Sequence, residues 1–420
     1  MLRFIASTFA TRFLSAIIFF GINILLAQFL GEAGKGQASL FIANMALIVL
    51  MNELIGGSAI VYLAPRLPKW KLLLPSYLWL AMLCIGLSYP VMAFTSLPNH
   101  WWGHLAVLTF LQGLLGMHQY WLTGIKKINQ QNLLFILRAI IVLACLLLLF
   151  TSKTAQLTHF FHAMYIGAGA CLLLSFFFVF KYTTKPTQNA TFKDALKALV
   201  NYGLWVQAAN LIQFFNYRLA YYYLDIFTDE AQIGIYSVAM HFVEAVWIIS
   251  RSAALVQYSY IANSQDDKGD QLMSQRIFFY GGLITIILSL GLLIIPEKLF
   301  VLLFGSTGFG QVKWLLFLLL PGIIAISLNN AIANYFSGKS WFKLNAFASA
   351  FGLIFTIIIG YFLVKNYAIT GAAITASLSY CATLLFSAYL WKQKVKQALF
   401  AIPPIAKDIR QLIEKANSKQ

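Results

Sequence analysis

Charge is scarce in this sequence. Asp, Glu, Lys and Arg make up only 10% of its 420 residues, and 60% are hydrophobic. Soluble domains carry about 25% charged residues. So apolar a chain cannot be a soluble globular protein, which leaves a polytopic membrane protein. The alternating strands of an outer-membrane barrel are missing, because the apolar runs are long and continuous. Loops long enough to fold as a soluble domain are missing as well. Cysteine is sparse: Cys84, Cys145, Cys171 and Cys381 all lie in apolar runs, spaced for neither a metal site nor a disulfide framework. No cleavable signal opens the chain, since the run 13–30 is too long and no A-x-A site follows.

What remains is helical. A membrane-crossing helix needs about 20 apolar residues. The runs place twelve such helices at 13–30, 37–64, 72–96, 104–124, 132–151, 157–180, 198–224, 232–262, 276–295, 313–336, 342–364 and 368–391. FLGEAGKGQAS makes a glycine-rich turn between the first two, and Pro90 is expected to kink the third. The fold class is therefore all-α, with about twelve transmembrane helices in two six-helix lobes. The expected lobes are residues 1–182 and 198–392, joined by a polar linker at 183–197. A basic tail, 393–420, reads as an amphipathic helix on the anionic leaflet, with Ile405, Ile409, Leu412 and Ile413 at helical spacing.

Acids are few: 13 against 30 Lys and Arg, a formal net charge of +17. In a soluble protein that excess would point to nucleic acid. Here the basic residues fall in alternate loops, as the positive-inside rule requires, so no nucleic-acid partner is implied. Only Lys35, Lys153, Lys298, Lys313 and Lys365 fall in loops of the opposite parity, and Arg218 and Arg251 fall inside spans. Both termini are then expected in the cytoplasm of a bacterium, with the chain in the inner membrane.

Intramembrane charge carries the functional signal. A charge at the bilayer centre costs roughly 2.5–3.5 kcal/mol, so it persists where it faces protein or a watery cavity. Arg218, Glu244 and Arg251 cluster in 210–262. Glu244 lies one turn after His241, and the two could move a proton or form a structural pair. Laid over one another, the segments 36–64 and 234–262 match Gly36 to Gly234, Ser39 to Ser237, Tyr62 to Tyr260, and Glu53 to Arg251. The second and eighth helices thus read as equivalents in two parallel repeats, with a substrate site between them. Glu53 and Arg251 are expected to pair across that cleft. Arg218 is expected either to pair with Asp225 or to extend toward the outer face.

The stretch YRLAYYYLDIFTDEAQIGIYSVAMHFVEAVW (217–247), with Gly234, Tyr236 and Ala239 opening a helix, resembles the oligosaccharide flippases of O-antigen, capsule and exopolysaccharide pathways. These belong to the multidrug/oligosaccharidyl-lipid/polysaccharide exporter superfamily. FLGEAGKGQASL (29–40), LLFGSTGF (302–309), IANYFSGKSWFKLN (332–345) and YAITGAAITASLSY (367–380) are similar to turns of that family. Ala220 stands where many relatives carry an acid.

The resemblance implies a V-shaped transporter with helices 1, 2, 7 and 8 lining the cleft. Its cargo would be an undecaprenyl-diphosphate-linked oligosaccharide, moved from the cytoplasmic to the periplasmic leaflet. Planar guanidinium forks suit a diphosphate, which nominates Arg218, Arg251 and Arg12. For the glycan, Gln207 and Asn210 share a helix face with Phe214 and Arg218, and Asn23 and Asn330 add amides. Tyr221, Tyr222 and Tyr223 read as interfacial belt residues. Glu53 and Glu244 complete the candidate site. No cofactor is expected beyond a coupling H+ or Na+. Expected partners are the lipid-linked oligosaccharide, membrane lipids, and the polysaccharide polymerase and glycosyltransferases of the pathway. Two alternatives stand: a cation-coupled drug antiporter with Glu53 or Glu244 as coupling acid, and a membrane-embedded glycan polymerase or transferase. The second lacks the acid/base loops such an enzyme needs, so a non-enzyme is expected.

Overall fold

A computed structural model describes residues 2–150, 156–183, 191–262 and 264–395. The middle of the expected linker and the expected tail helix lie outside the described residues. Within them the chain is all-helical, as its composition requires, and no strand occurs.

The first helical run, α1 (Leu2–Gly56), has 55 residues. At 1.5 Å per residue that is about 80 Å, more than twice the roughly 30 Å hydrocarbon layer. One residue resolves the conflict. Gly31 has φ 68° and ψ −169°, and its missing side chain permits that break. The expected glycine-rich turn thus contracts to a single residue, and Lys35, expected in a loop, sits on the helix and is buried. The last run, α12 (Phe342–Val395), repeats the device at Ala368, with φ 48°.

Between them lie α2 (Ser58–Leu63), α3 (Lys69–Ala93), α4 (Trp102–Gly124), α5 (Ile128–Phe150), α6 (Leu157–Lys181), α7 (Phe192–Phe227), α8 (Glu230–Ile261), α9 (Asp267–Ile294), α10 (Glu297–Phe304) and α11 (Val312–Gly338). Gly57 separates α2 from α1, where an unbroken helix was expected. Residues 192–197, expected as linker, are the first turns of α7. Thr191 caps that helix: its Oγ accepts from Asp194 N at 3.2 Å, and its N–H donates to Asp194 Oδ2 at 3.0 Å. The polar stretch ANSQDDKGDQ (262–271) reads as a loop, but from Asp267 onward it opens α9 behind an Asp266 cap. Helix α3 continues through both Pro75 and Pro90.

Among the described residues, eight helices are long and apolar enough to cross a membrane. Two of these, α1 and α12, are each long enough for two crossings. Large apolar side chains such as Ile85, Leu148, Leu173 and Phe362 face outward, as a lipid-facing surface requires. The chain is a multi-pass membrane protein.

In the first half, α1 packs on α3, α4 and α5, and α6 closes on α4 and α5. In the second, α11 packs on α8, α9 and α12, and α12 packs on α7. The two sets meet chiefly where α1 lies against α7 and α8. Lipid supplies little hydrophobic drive between helices, so small residues and polar bonds hold them. At the α7–α12 contact, Thr356 Oγ1 donates to Asn216 Oδ1 at 2.7 Å, beside Gly352 and Ser379. Turns alternate between two ends of the bundle, called here the Gly31 end and the Lys126 end.

Candidate functional site

At the Gly31 end the second arm of α1 crosses α8. Gly36 and Gly234, matched by the sequence repeat, face each other there. A Cβ on Gly36 would collide with the carbonyl of Glu230, and one on Gly234 with that of Glu32. Ser39 and Ser237, the next matched pair, both receive the same ammonium. Lys35 Nζ donates to Ser39 Oγ at 2.6 Å and to Ser237 Oγ at 2.9 Å. Repeat-related positions thus meet across a local twofold relation, with one lysine between them. Gln37 Nε2 donates to Glu230 Oε2 at 2.8 Å, and Glu32 Oε1 accepts from Gly308 N at 2.9 Å and from Ser306 Oγ. This end is closed by backbone contact and hydrogen bonds.

Further along α7 and α8 lies a charged trio. Arg218 Nη2 donates to Glu244 Oε1 at 3.0 Å, and Nη1 donates to Tyr221 OH at 3.2 Å. His241 Nδ1 stands 3.6 Å from Glu244 Oε2, the helical-turn pairing expected from the sequence. These side chains are half-buried, 28% exposed for Arg218 and 36% for Glu244. The expected Arg218–Asp225 pair does not form. Asp225 instead accepts from Ser96 N at 3.0 Å and from Ser96 Oγ, tying α7 to the turn after α3. Tyr221, expected in an interfacial belt, is buried against Tyr236, ring centroids 5.4 Å apart.

The expected bridge between Glu53 and Arg251 is also absent. Tyr120 OH donates to Glu53 Oε1 at 2.6 Å, so Glu53 turns toward α4 and the interior of the first half. Arg251 is exposed and lies 5.4 Å from the ring of Trp247, one turn back on its own helix. Equivalent positions in two repeats need not face each other away from the axis, and these two do not.

Glu53 belongs to a second polar site that sequence reasoning half found. A cavity of about 500 Å³ lies between both arms of α1, α2, α4 and α5, towards the Lys126 end. Arg12, Glu53 and Arg138 line it, with the amides of Asn52, Gln112, Gln119 and Gln131. Arg12 is one of the three guanidinium groups that the sequence nominates. Arg138 falls inside the expected span 132–151, where the charge count treats it as a cytoplasmic cation, and it sits well inside α5. A lone cation flanked on both sides by LLFIL and AIIVLACLLLLF was the available signal.

The nominated amides divide. Gln207 Nε2 donates to Leu50 O, and Asn210 Nδ2 to Gln207 Oε1 at 3.4 Å, at the α1–α7 contact. Beside them a Cβ on Gly203 would strike the carbonyl of Leu54, and the rings of Tyr62 and Tyr202 meet at a tilt with centroids 4.3 Å apart. The two halves therefore also touch near the Lys126 end. Asn23 Nδ2 donates within its own helix to Phe19 O at 2.7 Å, and Asn330 Nδ2 donates to Ser250 Oγ at 3.1 Å, joining α11 to α8.

No protein-family model matches the sequence, and no curated protein does. Solved structures match by fold. An inward-facing multidrug resistance MATE family transporter of the MOP superfamily superposes with TM-score 0.73 at 12% identity, covering 92% of this chain and 95% of that one. The lipid II flippase MurJ, in an inward closed conformation, gives 0.72 at 15% identity over 91% and 87%. A MOP superfamily transporter from Pyrococcus furiosus, described as having a binding pocket of reverse polarity, gives 0.66 at 12% over 95% and 96%. At these identities the likeness is one of fold, and the chain shares the architecture of MOP superfamily transporters.

Proposed function

We propose that this protein is an alternating-access transporter that moves a polyprenyl-diphosphate-linked oligosaccharide from the cytoplasmic to the periplasmic leaflet of a bacterial inner membrane, for surface polysaccharide synthesis. One observation carries this: Gly36, Ser39, Gly234 and Ser237, matched across the repeat, meet at one end of the bundle. Two equivalent arms closing on each other at one end, and parting there while closing at the other, is what alternating access needs. The lobes are residues 1–182 and 198–392, the second extended back to residue 192 by the first turns of α7, and they rock along the α1–α7–α8 seam.

The mechanism follows from the cargo. A diphosphate and its glycan must avoid hydrocarbon, whereas an isoprenoid tail can remain in lipid. The half-buried Arg218, Glu244 and His241 make a polar surface in the seam that a headgroup can exchange for. Arg218 trades its carboxylate partner for a phosphate, Arg251 adds a second fork, and Gln207, Asn210, Asn23 and Asn330 offer hydrogen bonds to sugar hydroxyls. A fold neighbour described as a lipid II flippase supports a lipid-linked cargo. The polysaccharide polymerase and glycosyltransferases would be partners on either side. With Lys residues concentrated at the Lys126 end, that end faces the cytoplasm.

A second reading is favoured by one contact. Glu244, touching both Arg218 and His241, is a carboxylate with a proton-accepting neighbour, as a cation-coupled drug antiporter would use. Proteoliposomes separate the two. A fluorescent short-chain polyprenyl-diphosphate saccharide should change leaflets only with protein present, and a cationic dye should not accumulate. Dye accumulation under an ion gradient, with the saccharide lipid immobile, would reverse the assignment.

A further inference from the structure

We infer that the cavity inside the first half, centred on Arg138, is a binding site for a phosphate-bearing group, distinct from the seam between the halves. It deepens the transport proposal by naming the chemical group that the first half recognises, though the site itself does not require translocation.

The wall chemistry selects an anion. Arg12 and Arg138 face the space with Glu53 as its carboxylate, and Glu53 already accepts a hydrogen bond from Tyr120 at 2.6 Å. The guanidinium of Arg138 makes no hydrogen bond or ion pair with any described residue, although α5 carries it well inside the helix bundle. A guanidinium without a partner in such surroundings is expensive unless something fills the space beside it. Its five N–H donors in one plane match the paired oxygens of a phosphate. A second group is also waiting. Asn52 is 2% exposed and lines the cavity, and its Oδ1 has no hydrogen-bond partner. An acceptor beside two cationic forks fits a ligand that presents both phosphate oxygens and a hydroxyl donor. Gln112, Gln119 and Gln131 can serve either. About 500 Å³ suits a diphosphate with an attached polar group and is larger than a single ion needs.

Phosphate could arrive free or on a lipid, and binding to purified full-length protein in neutral-lipid nanodiscs distinguishes them. The probes are inorganic pyrophosphate, farnesyl diphosphate and farnesol. Farnesyl diphosphate should bind and farnesol should not. Pyrophosphate binding of similar strength would assign recognition to the phosphates alone, and its failure would make the site one for a lipid-borne phosphate. Arg138→Gln should weaken the bound probe roughly 10- to 100-fold, the worth of charge-assisted hydrogen bonds, and Arg138→Lys should recover part of it. Should Arg138→Gln fail to fold, Gln131→Ala and Arg12→Gln at the cavity mouth should each weaken binding. Equal affinity of wild type and these variants, or no binding of either phosphate probe, overturns the site. Saccharide-lipid movement is scored separately, so Arg138-dependent binding without translocation would sink the transport proposal and leave the site standing.

Discussion

Gly36 and Gly234 lie back to back where α1 crosses α8, and the distance from a Cβ on either to the amide nitrogen of the other is 3.0 Å in both directions. That reciprocity is the signature of a local twofold relation. The sequence repeat matches the same two residues. Close approach of this kind needs glycine on both sides, because any side chain would land on the facing backbone.

Gly36→Val should therefore hold the Gly31 end open. Spin labels at Ala33 and Ala231, themselves repeat-related, report the separation. The mean distance is expected to lengthen in the variant, with helix content unchanged. An unaltered distance distribution would show that the crossing tolerates a side chain.

Lys35→Met tests the ammonium between the two serines. Lys35 is 1% exposed, and among the described residues its Nζ bonds only the two hydroxyls and no carboxylate. An unpaired buried charge favours any state that wets it. Ser237 keeps its bond to Gly234 O, 2.7 Å away. The methionine variant should narrow the Ala33–Ala231 distribution toward the closed distance and raise the thermal midpoint. A broadened distribution would contradict this.

Breaking the Arg218–Glu244 pair strands its partner. Loss of one member of a fully buried pair costs 3–5 kcal/mol. With both side chains about a third exposed, about 1–3 kcal/mol is expected for Arg218→Gln or Glu244→Gln after solvent screening. The charge swap Arg218→Glu with Glu244→Arg should recover the thermal midpoint but not saccharide-lipid movement. Full movement in the swap would reduce the pair to a structural tie.

Lys339 closes the Lys126 end of the second half by bridging two acids. Its Nζ sits 2.7 Å from Asp270 Oδ2, with Asp270 fully buried, and also pairs with Asp267. Burial opposes its charge, and the hydrogen bonds that the ammonium donates to the Asp267 and Asp270 carboxylates outweigh that and raise its pKa. Its contribution is then complete below the usual lysine range near 10.4 and fades only as pH climbs through the raised value. Lys339→Met should destabilise by about 3–5 kcal/mol, the cost of an orphaned buried charge. Adding Asp270→Asn should return much of the loss in a thermal melt at neutral pH. No rescue would mean that Lys339 acts through packing.

Much of this was legible in one dimension because lipid penalises charge so heavily. Arg218, His241 and Glu244 stood out against apolar neighbours, and the trio assembles around Glu244. Their partners were not legible, because pairing depends on how α7 crosses α8. Arg218 met Glu244 rather than Asp225, and Glu53 turned to Tyr120 rather than Arg251. Three glycines, Gly31, Gly34 and Gly36, offered a turn, and sequence alone does not say which takes the positive φ. Choosing a six-residue loop put Lys35 in solvent, when a single-residue break at Gly31 buries it. Arg138 lies within the expected span 132–151, and counting it with the cytoplasmic cations hides it as a charge inside the bundle.

A disulfide across the α1–α8 crossing tests the transport account most directly. In a background with Cys84, Cys145, Cys171 and Cys381 replaced, Ser39→Cys and Ser237→Cys place two thiols where both hydroxyls now meet one Lys35 nitrogen. Oxidised protein in proteoliposomes should fail to move the fluorescent saccharide lipid between leaflets, and reduction should restore movement. Movement at the same rate with the crosslink intact would contradict opening at Gly36 and Gly234, and with it alternating access along this seam.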